Sequence, residues 1–371
     1  MLIQNAKAFI DGKFQEKTDL LIRDGRISAI GTGLAAEGEE LLDLGGDLLL
    51  PGFVDVHIHA FKGMDAMQGE EAVRHMSREL KKVGVAAFLP TTMSASPEDT
   101  VKALAGVKAV MERPEPDGAI VLGAHMEAPF LAEAKAGAQL KQYFADPNEE
   151  NWQRYTCGLE SVVRLITMAP ERAGAMEFIS ALTKKGITVS IGHTTADAET
   201  THAAAEAGAT HVTHTFNAQT PLNHRAPGVP GAALVDDRLQ CEVISDGIHL
   251  HPDIVKLIIR TKGKEKLVAI TDAMEAAGMP DGQYQLGGQE VFVHEGAARL
   301  KDGTLAGSTL TMVRAFQNLM RFGATPEEAA LMTTKTPALS IGNEELGEIE
   351  LGAPAIFSRF DENYAFKGTV G

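Results

Sequence analysis

The feature that most constrains the fold is an alternation of apolar runs and helix-like stretches through the middle of the chain. Eight runs occur between residues 52 and 340: Phe53–His59, Val85–Leu89, Ile120–His125, Val162–Met168, Thr188–His193, Thr210–His214, Cys241–Ser245 and Leu267–Thr271. Strands that alternate with helices indicate βα units and a parallel sheet. Eight such units in about 290 residues predict an α/β fold, a (β/α)8 TIM-type barrel.

Helices are predicted between the runs, at Glu70–Lys82, Pro97–Met111, Ala173–Lys185 and Ala196–Ala207. A doubly wound open sheet is the competing arrangement of the same elements. The glycine pattern G-x-G-x-x-G, which marks many doubly wound nucleotide-binding folds, does not follow the first run. The sequence therefore favours the barrel.

Both ends of the chain have a different pattern, with short apolar runs and tight turns. Asp11-Gly12 and Asp24-Gly25 each separate two short apolar runs, which is typical of β-hairpins. Residues 343–371 resemble this region, with Gly347 and Gly352 bracketing a short run. We predict a small discontinuous β-sandwich domain from residues 1–51 plus 343–371, and a barrel domain from residues 52–342.

Charge and cysteine content limit the possible partners and compartment. The 371 residues carry a net charge of −16, which disfavours a general nucleic-acid surface or an anionic membrane partner. Cys157 and Cys241 are far apart and form no C-x-x-C pattern, so a disulfide framework is not indicated. The chain lacks a signal-peptide pattern and any apolar run near the roughly 18 residues of a membrane span. We expect a soluble, cytoplasmic protein.

Histidine and carboxylate residues lie at the carboxyl ends of the predicted strands. In barrel enzymes the active site lies at the carboxyl ends of the strands. Side chains at positions i and i+2 of a strand share a face, so the first run can direct two imidazoles to one point. The strand ends supply these residues: His57, His59, Glu127, His193, His214 and Asp272.

These residue types are suited to metal-assisted hydrolysis. Glu127, His193 and His214 form a set of two histidines and one carboxylate, which leaves a coordination position open for water. His57 and His59 offer a second metal position. A divalent ion lowers the pKa of bound water to about 7. Asp272 suits a general base that takes a proton from water and returns it to a leaving amine.

The ordered motifs of the chain resemble those of the amidohydrolase superfamily, and within it the deacetylases of phosphorylated amino sugars. The resemblance runs nearly from end to end. It rests on Pro51–His59, Glu127–Phe130, Gly192-His193-Thr194, His214–Ala218 with Thr220-Pro221-Leu222, Asp246-Gly247-x-His249, Thr271-Asp272-Ala273 and Leu305–Ser308.

The resemblance implies hydrolysis of the N-acetyl group of N-acetylglucosamine 6-phosphate to glucosamine 6-phosphate and acetate, in amino-sugar catabolism. It implies zinc or iron as cofactor, with one or two ions per subunit, and a homodimer. In the family, the matching residues hold the principal metal (Glu127, His193 and His214), hold a second metal in some members (His57 and His59) and act as acid and base (Asp272). Further matching positions bind the sugar phosphate or face the substrate: Asn217, Ala218 through its backbone, Arg225, His249 and Gln139.

The chain departs from the family pattern at five positions, one of which is Ala136, where the family has lysine. Ala128 stands where the family has glycine, Gln219 where it has methionine, and Ala226 where it has an acidic residue. Gln139 replaces a histidine, and glutamine can donate a hydrogen bond but cannot carry a proton at neutral pH. A deacylase of a different N-acyl amino sugar or sugar phosphate is therefore an alternative.

Two other functions are compatible with the superfamily. Cyclic-amide hydrolases bridge two metals with a carboxylated lysine at the end of the fourth strand, but here that run ends Thr167–Pro170 without a lysine. Glu127 can take that bridging role instead. A non-catalytic relative that has lost its ligands is disfavoured, because all six of the polar strand-end residues are retained.

Overall fold

A computed structural model describes residues 1–35 and 38–371. Its β-strands are β1 (Leu2–Ile10), β2 (Lys13–Arg23), β3 (Arg26–Gly31), β4 (Leu41–Asp43), β5 (Leu48–Pro51), β6 (Phe53–Ile58), β7 (Ala60–Phe61), β8 (Met64–Asp65), β9 (Val85–Thr92), β10 (Ile120–Val121), β11 (Ala124–Met126), β12 (Val163–Met168), β13 (Thr188–Ile191), β14 (His211–Val212), β15 (Gln240–Ile244), β16 (Leu267–Ile270), β17 (Gly282–Leu286), β18 (Gln289–His294), β19 (Ala297–Leu300), β20 (Phe357–Phe360) and β21 (Phe366–Val370). Its α-helices are α1 (Glu70–Lys82), α2 (Pro97–Glu112), α3 (Glu149–Thr156), α4 (Ala175–Lys184), α5 (Ala198–Ala207), α6 (Gly228–Val235), α7 (Pro252–Lys262), α8 (Met312–Phe322), α9 (Pro326–Thr333) and α10 (Lys335–Ser340).

The predicted parallel barrel is confirmed. Its strands run in the order β6, β9, β10/β11, β12, β13, β14, β15 and β16, and every pairing between neighbours is parallel. The first and last strands close the ring through backbone hydrogen bonds from Asp272 to His57 (2.8 Å) and from His59 to Ala273 (3.0 Å). The carboxylate of Asp55 adds a buried bond from the Thr271 hydroxyl at 2.5 Å.

The third barrel strand is divided where the sequence predicted one continuous run. Gly123 separates β10 from β11 with a φ of +148°, a conformation that favours glycine. A Cβ atom at this position would lie 2.4 Å from the Arg164 Cγ atom. Both the backbone angle and the close approach of the neighbouring strand therefore require glycine, and the apolar pattern does not reveal this.

The predicted helices are present outside the barrel, with small differences at their ends. Helix α1 has the predicted bounds, and α2 begins at the predicted proline because Ser96 caps it by accepting from the Asp99 backbone N–H. Helices α4 and α5 begin two residues later than predicted. Gly174, at φ +81°, precedes α4, and Asp197 caps the first turn of α5.

The two termini form one mixed sheet in the order β21, β20, β5, β1, β2, β3, with β4 also paired to β1. Strand β5 is buried on both faces. Leu48 and Leu50 pack in the barrel core, whereas Leu49 packs in a separate core beneath β1 to β3. Residues 36 and 37, inside the predicted small domain, lie outside the described residues. We propose the domain division at residues 51/52 and 342/343, between the terminal sheet and the barrel.

A three-stranded antiparallel sheet, β17 to β19, is inserted between β16 and α8, and the sequence analysis did not predict it. Its longest strand carries only the short apolar run Val291-Phe292-Val293, and the middle residue of that run is exposed. The sheet has its own apolar cluster, which includes Leu286 and Val291 together with Met93 and Met274 from the barrel loops. This sheet therefore packs on the mouth of the barrel. Among the described residues, no helix is long and apolar enough to cross a membrane.

His211 on β14 is a buried histidine that should make the fold sensitive to acid. Burial lowers its pKa from 6.5 to about 4, and its Nε2 atom has no hydrogen-bond partner among the described residues. In the unfolded chain, His211 therefore binds a proton as the pH falls below 6.5, whereas in the folded chain it stays neutral down to about pH 4. Stability from this group is complete above pH 6.5 and is lost as the pH falls toward 4.

We expect His211→Leu to reduce the loss of unfolding free energy between pH 7 and pH 5 by about 2 kcal/mol. Urea unfolding can be followed by the fluorescence of Trp152, the single tryptophan, which is fully buried. The control His294→Asn changes an exposed histidine and should leave the acid sensitivity as it is. Equal pH dependence in His211→Leu and the wild type would contradict this assignment.

Candidate active site

The structure brings together the six polar residues predicted at the strand ends. They converge at the carboxyl-terminal mouth of the barrel and are all buried: His57, His59, Glu127, His193, His214 and Asp272. They come from five different barrel strands and their following loops, as expected for parallel strands whose carboxyl ends meet at one rim.

The first group of potential metal ligands contains Glu127, His193 and His214. The Glu127 Oε1 atom lies 3.2 Å from the His193 Nε2 atom and 3.1 Å from the His214 Nε2 atom. The two Nε2 atoms are 3.0 Å apart. Three atoms that ligate metals thus surround one point.

The second group contains His57, His59 and the same Glu127. The His59 Nε2 atom lies 3.2 Å from Glu127 Oε2 and 3.1 Å from Asp272 Oδ1. The His57 Nε2 atom is 3.4 Å from Glu127 Oε1 and 3.4 Å from Asp272 Oδ1. Because Glu127 uses both oxygens, its carboxylate connects the two groups.

The opposite nitrogens of three rings are held by acceptors. The Nδ1 atom of His59 bonds to the Thr91 carbonyl at 3.2 Å, that of His193 to the Lys135 carbonyl at 2.8 Å, and that of His57 to Glu242 Oε2 at 3.1 Å. Each Nδ1 must donate its proton there, so each Nε2 is the atom that faces the carboxylates and can offer a lone pair to a metal ion. Metal-ligating histidines are typically oriented in this way.

These residues therefore fit a divalent metal. Imidazole nitrogens and the Glu127 carboxylate converge within one small buried space, where a cation is stabilised, and the buried His57 Nε2 atom has no hydrogen-bond partner among the described residues. Imidazole nitrogen with a single carboxylate is the donor set of many zinc and iron sites. The amidohydrolase-like ligand pattern expected from sequence is thus physically suited to its metal.

The electrostatics of the cluster are dominated by the opposed histidines and carboxylates. Burial alone would lower the pKa of His59, but Asp272 and Glu127 raise it to about 9. Burial alone would raise the pKa of both carboxyl groups. The facing histidines outweigh that effect, so the pKa of Asp272 is lowered and that of Glu127 lies well below its ordinary value. Both carboxylates are ionised at neutral pH.

The backbone turns sharply at three of these strand ends. His193, His214 and Asp272 have φ values of +46°, +28° and +49°, in a region that residues with a Cβ rarely adopt. Such strain is often found where a side chain must be aimed at a functional site. It also explains why β13, β14 and β16 end earlier than the apolar runs predicted.

Glu242 is a component of the site that the sequence analysis missed. It lies in the middle of β15, is fully buried, and its Oε2 atom contacts the His57 ring and accepts from the His214 backbone N–H at 3.2 Å. The signal was present, because a single glutamate inside the apolar run Cys241–Ser245 must face a polar interior.

A layer of polar side chains lies beneath the cluster. His125 donates or accepts with Thr167 at 2.8 Å and stacks edge-on against the His57 ring, with centroids 4.5 Å apart. Burial and the neighbouring His57 lower its pKa well below the ordinary value, so this ring is neutral. Neither His125 nor Asp55 is in the two groups of potential ligands; Asp55 bonds instead to Thr271.

A cavity of about 320 Å³ opens over the cluster, and four of the five predicted substrate residues line it: Gln139, Asn217, Ala218 and His249. His249 is oriented by Asp246, whose carboxylate accepts from the His249 Nδ1 atom at 2.7 Å and from its backbone N–H. Arg225 is exposed in the loop of residues 221–227 and does not line this cavity.

Gln139 contacts the metal-binding group directly. Its Nε2 atom donates to Glu127 Oε2, and its Oε1 atom accepts from the Ser94 backbone N–H at 2.7 Å. Gln219, another departure from the family pattern, is buried and ties the turn after β14 by donating to the Thr213 carbonyl at 2.8 Å. The side-chain amides of Gln139 and Gln219 thus both form hydrogen bonds to other residues of the chain.

Residues 48–368 match the amidohydrolase family. The chain therefore belongs to the amidohydrolase family and is a hydrolase of that class. Within the family, an N-acetylglucosamine-6-phosphate deacetylase from Lysinibacillus sphaericus is 36% identical over 374 residues, covering 100% of this chain and 96% of the relative. The resemblance inferred from the motifs is confirmed.

Two further relatives extend this comparison. An N-acetylgalactosamine-6-phosphate deacetylase from Escherichia coli O157:H7 is 36% identical, covering 91% of this chain and 88% of the relative. The structure of an N-acetyl-D-glucosamine-6-phosphate deacetylase mutant from Mycobacterium smegmatis, in complex with N-acetyl-D-glucosamine-6-phosphate, matches with a TM-score of 0.92 and 31% identity. That match covers 100% of this chain and 97% of the other.

We expect Glu242→Gln to weaken divalent metal binding by about 10- to 100-fold, because removing the charge that holds the His57 ring lowers the basicity of its Nε2 atom. Equilibrium dialysis against a zinc buffer series measures this change. Glu199→Gln, an exposed substitution on α5, is the matched control. Unchanged affinity in a folded Glu242→Gln protein would show that Glu242 does not support the metal site.

Proposed function

We propose that the chain is a metal-dependent deacetylase that hydrolyses the N-acetyl group of N-acetylglucosamine 6-phosphate to glucosamine 6-phosphate and acetate, in amino-sugar catabolism. The observation that carries this proposal is the pair of ligand groups sharing Glu127, with Asp272 3.1 Å from His59, inside a single cavity. The named activities of the full-length relatives support it.

Glu127, His193 and His214 would hold the principal ion, and His57 and His59 with Glu127 would hold a second. We propose zinc as the metal, with iron as the alternative, because both accept imidazole and carboxylate ligands. When bound, such an ion supplies activation of water and polarisation of the amide carbonyl. The number of ions per subunit then depends on His57 and His59, since without them one complete group remains.

Asp272 would act as the proton carrier. Its carboxylate is ionised because the facing histidines lower its pKa, so it can accept a proton from the attacking water. Protonated at an oxygen, it can then donate that proton to the amine nitrogen as the C–N bond breaks. The sharp turn at Asp272 and the backbone bond to His57 keep this carboxylate at the cluster.

The phosphorylated sugar would bind on the β14 and β15 side of the cavity. His249 lines this side, as do Asn217 and the backbone of Ala218. The Asp246 carboxylate holds the His249 ring through its Nδ1 atom, and an imidazole N–H is a suitable hydrogen-bond donor to a phosphate oxygen. We propose Arg225 as a further phosphate ligand on the resemblance, since a guanidinium binds phosphate through two parallel hydrogen bonds.

The sugar epimer and the acyl group are open to alternatives. The relative from Escherichia coli O157:H7 is named for the galacto epimer at the same 36% identity as the gluco-specific relatives. A deacylase of another N-acyl amino sugar phosphate is therefore the second candidate. Cyclic-amide hydrolysis is disfavoured because β12 ends without a lysine and Glu127 contacts both groups of ligands.

We also propose a homodimer in the cytoplasm, as the resemblance and the composition imply. Both cysteines are free, with Cys157 exposed and Cys241 buried, which suits a reducing compartment. Exposed apolar side chains at Leu222 and Val235 offer part of a surface between subunits.

We expect the zinc-loaded protein to release acetate from N-acetylglucosamine 6-phosphate, and removal of metal by a chelator to abolish this activity. The same assay is run with four other candidate substrates: the galacto epimer, the manno epimer, the unphosphorylated sugar and a hydantoin. The metal content of each enzyme preparation is measured. Faster turnover of the galacto epimer would support the second candidate. Absence of acetate release from every N-acetyl amino sugar phosphate, at full metal occupancy, would refute the proposed function.

We expect Asp272→Asn to lower kcat by at least about a thousandfold, because an amide cannot accept or return the proton. Its metal content should stay close to that of the wild type, since Asp272 belongs to neither group of ligands. The control Asp302→Asn alters an exposed carboxylate and should leave kcat unchanged. Wild-type kcat in Asp272→Asn would rule out its role as acid and base.

A further inference from the structure

The side of the cavity opposite the predicted phosphate residues is apolar. In the ring of eight strands, β9 is four positions from β14, directly across the barrel. Met93 follows β9, and it lines the cavity together with Leu286 from the inserted sheet and Ala138. The predicted phosphate residues Asn217 and Ala218 follow β14 on the far side. The ligand groups lie between the two walls.

This arrangement matches the shape of the proposed substrate. In a hexose ring, the carbon that carries the amide nitrogen stands across the ring from the carbon that bears the phosphorylated arm. A phosphate held on the β14 side therefore directs the acyl group toward the β9 side. The apolar wall of Met93, Ala138 and Leu286 is suited to an acyl methyl group rather than to a sugar hydroxyl.

A second cavity of about 450 Å³ lies behind this wall, and Met93 lines both cavities. The second cavity is bordered by Met67, Leu140 and Tyr143, none of which lines the first. Met93 is only 3% exposed, so its side chain fills the space between them.

The Met93 side chain is held in this place by three neighbours. A Cβ atom on Gly287 would lie 3.2 Å from its Cε atom, so the glycine turn of the inserted sheet packs tightly against it. The Gln139 side-chain amide donates to the Met93 Sδ atom at 3.6 Å. The Met93 backbone N–H donates to the Met67 sulfur at 3.3 Å. Gln139 is the amide that also bonds Glu127, so the acyl wall and the ligand group are joined through one residue.

Resting on the proposed function, we propose that Met93 closes the acyl end of the active-site cavity and thereby restricts hydrolysis to short N-acyl groups. The substrate class is N-acetyl, with longer acyl chains excluded by the methionine. Shortening this side chain joins the two cavities and gives a longer chain space to occupy.

The test compares N-acetyl, N-propionyl and N-butyryl glucosamine 6-phosphate as substrates of metal-loaded enzyme. In the wild type, we expect kcat/KM to fall by about tenfold or more for each added methylene, a typical effect of one methylene in a closed pocket. In Met93→Ala, the ratio of kcat/KM for the butyryl substrate to that for the acetyl substrate should rise at least tenfold. Tyr143→Ala, which enlarges the second cavity alone, should keep the wild-type ratio.

Met93→Val is the second variant, for the case that Met93→Ala does not fold, and should raise the propionyl-to-acetyl ratio. Trp152 fluorescence and metal content verify each preparation. A wild type that hydrolyses the butyryl substrate as well as the acetyl one, or an unchanged ratio in the folded Met93 variants, would overturn the inference. Failure to hydrolyse any of the three substrates would instead refute the proposed function.

Discussion

The closure of the barrel between its first and last strands is the constraint on which the site depends. Asp272 can face His57 and His59 only because the backbone of Asp272 bonds to the His57 carbonyl at 2.8 Å. The buried carboxylate of Asp55 reinforces this seam through Thr271. Burial raises the pKa of Asp55 to about 7, because the ionised form of this carboxyl group is costly to bury between the two strands. The closure of the barrel and the placement of the strand-end residues therefore share one set of hydrogen bonds.

Within the site, Glu127 is the residue on which the other ligands depend. One carboxylate, nearly inaccessible to solvent, is in contact with four histidine rings through its two oxygens. Removing a ring changes the balance of charge around it, because the facing histidines hold the pKa of Glu127 well below its ordinary value. The outer partners of His57, His59 and His193, which are Glu242 and two backbone carbonyls, keep these three imidazoles in the orientation that this shared carboxylate requires.

The sequence predicted the barrel and the strand-end residues well, because the apolar runs and their terminal residues are local signals. The divided third strand was not predictable, since the need for Gly123 arises from the approach of Arg164 on the next strand. Glu242 was missed because its role depends on which face of β15 points inward. Arg225 matches the family motif, yet it lies outside the cavity, so a motif match alone does not establish contact. The inserted sheet was missed because its strands are mostly polar and carry an apolar run of only three residues, in β18.

The inserted sheet β17 to β19 has its own apolar cluster and supplies Leu286 and the Gly287 turn to one wall of the cavity. None of the six strand-end residues lies in it. Substitutions at Leu286 or in the Gly287 turn can therefore alter the size of that wall without replacing any of the six strand-end residues. The inserted sheet thus gives the chain a way to change the proposed acyl pocket by residues that lie outside the barrel strands and their ligand groups.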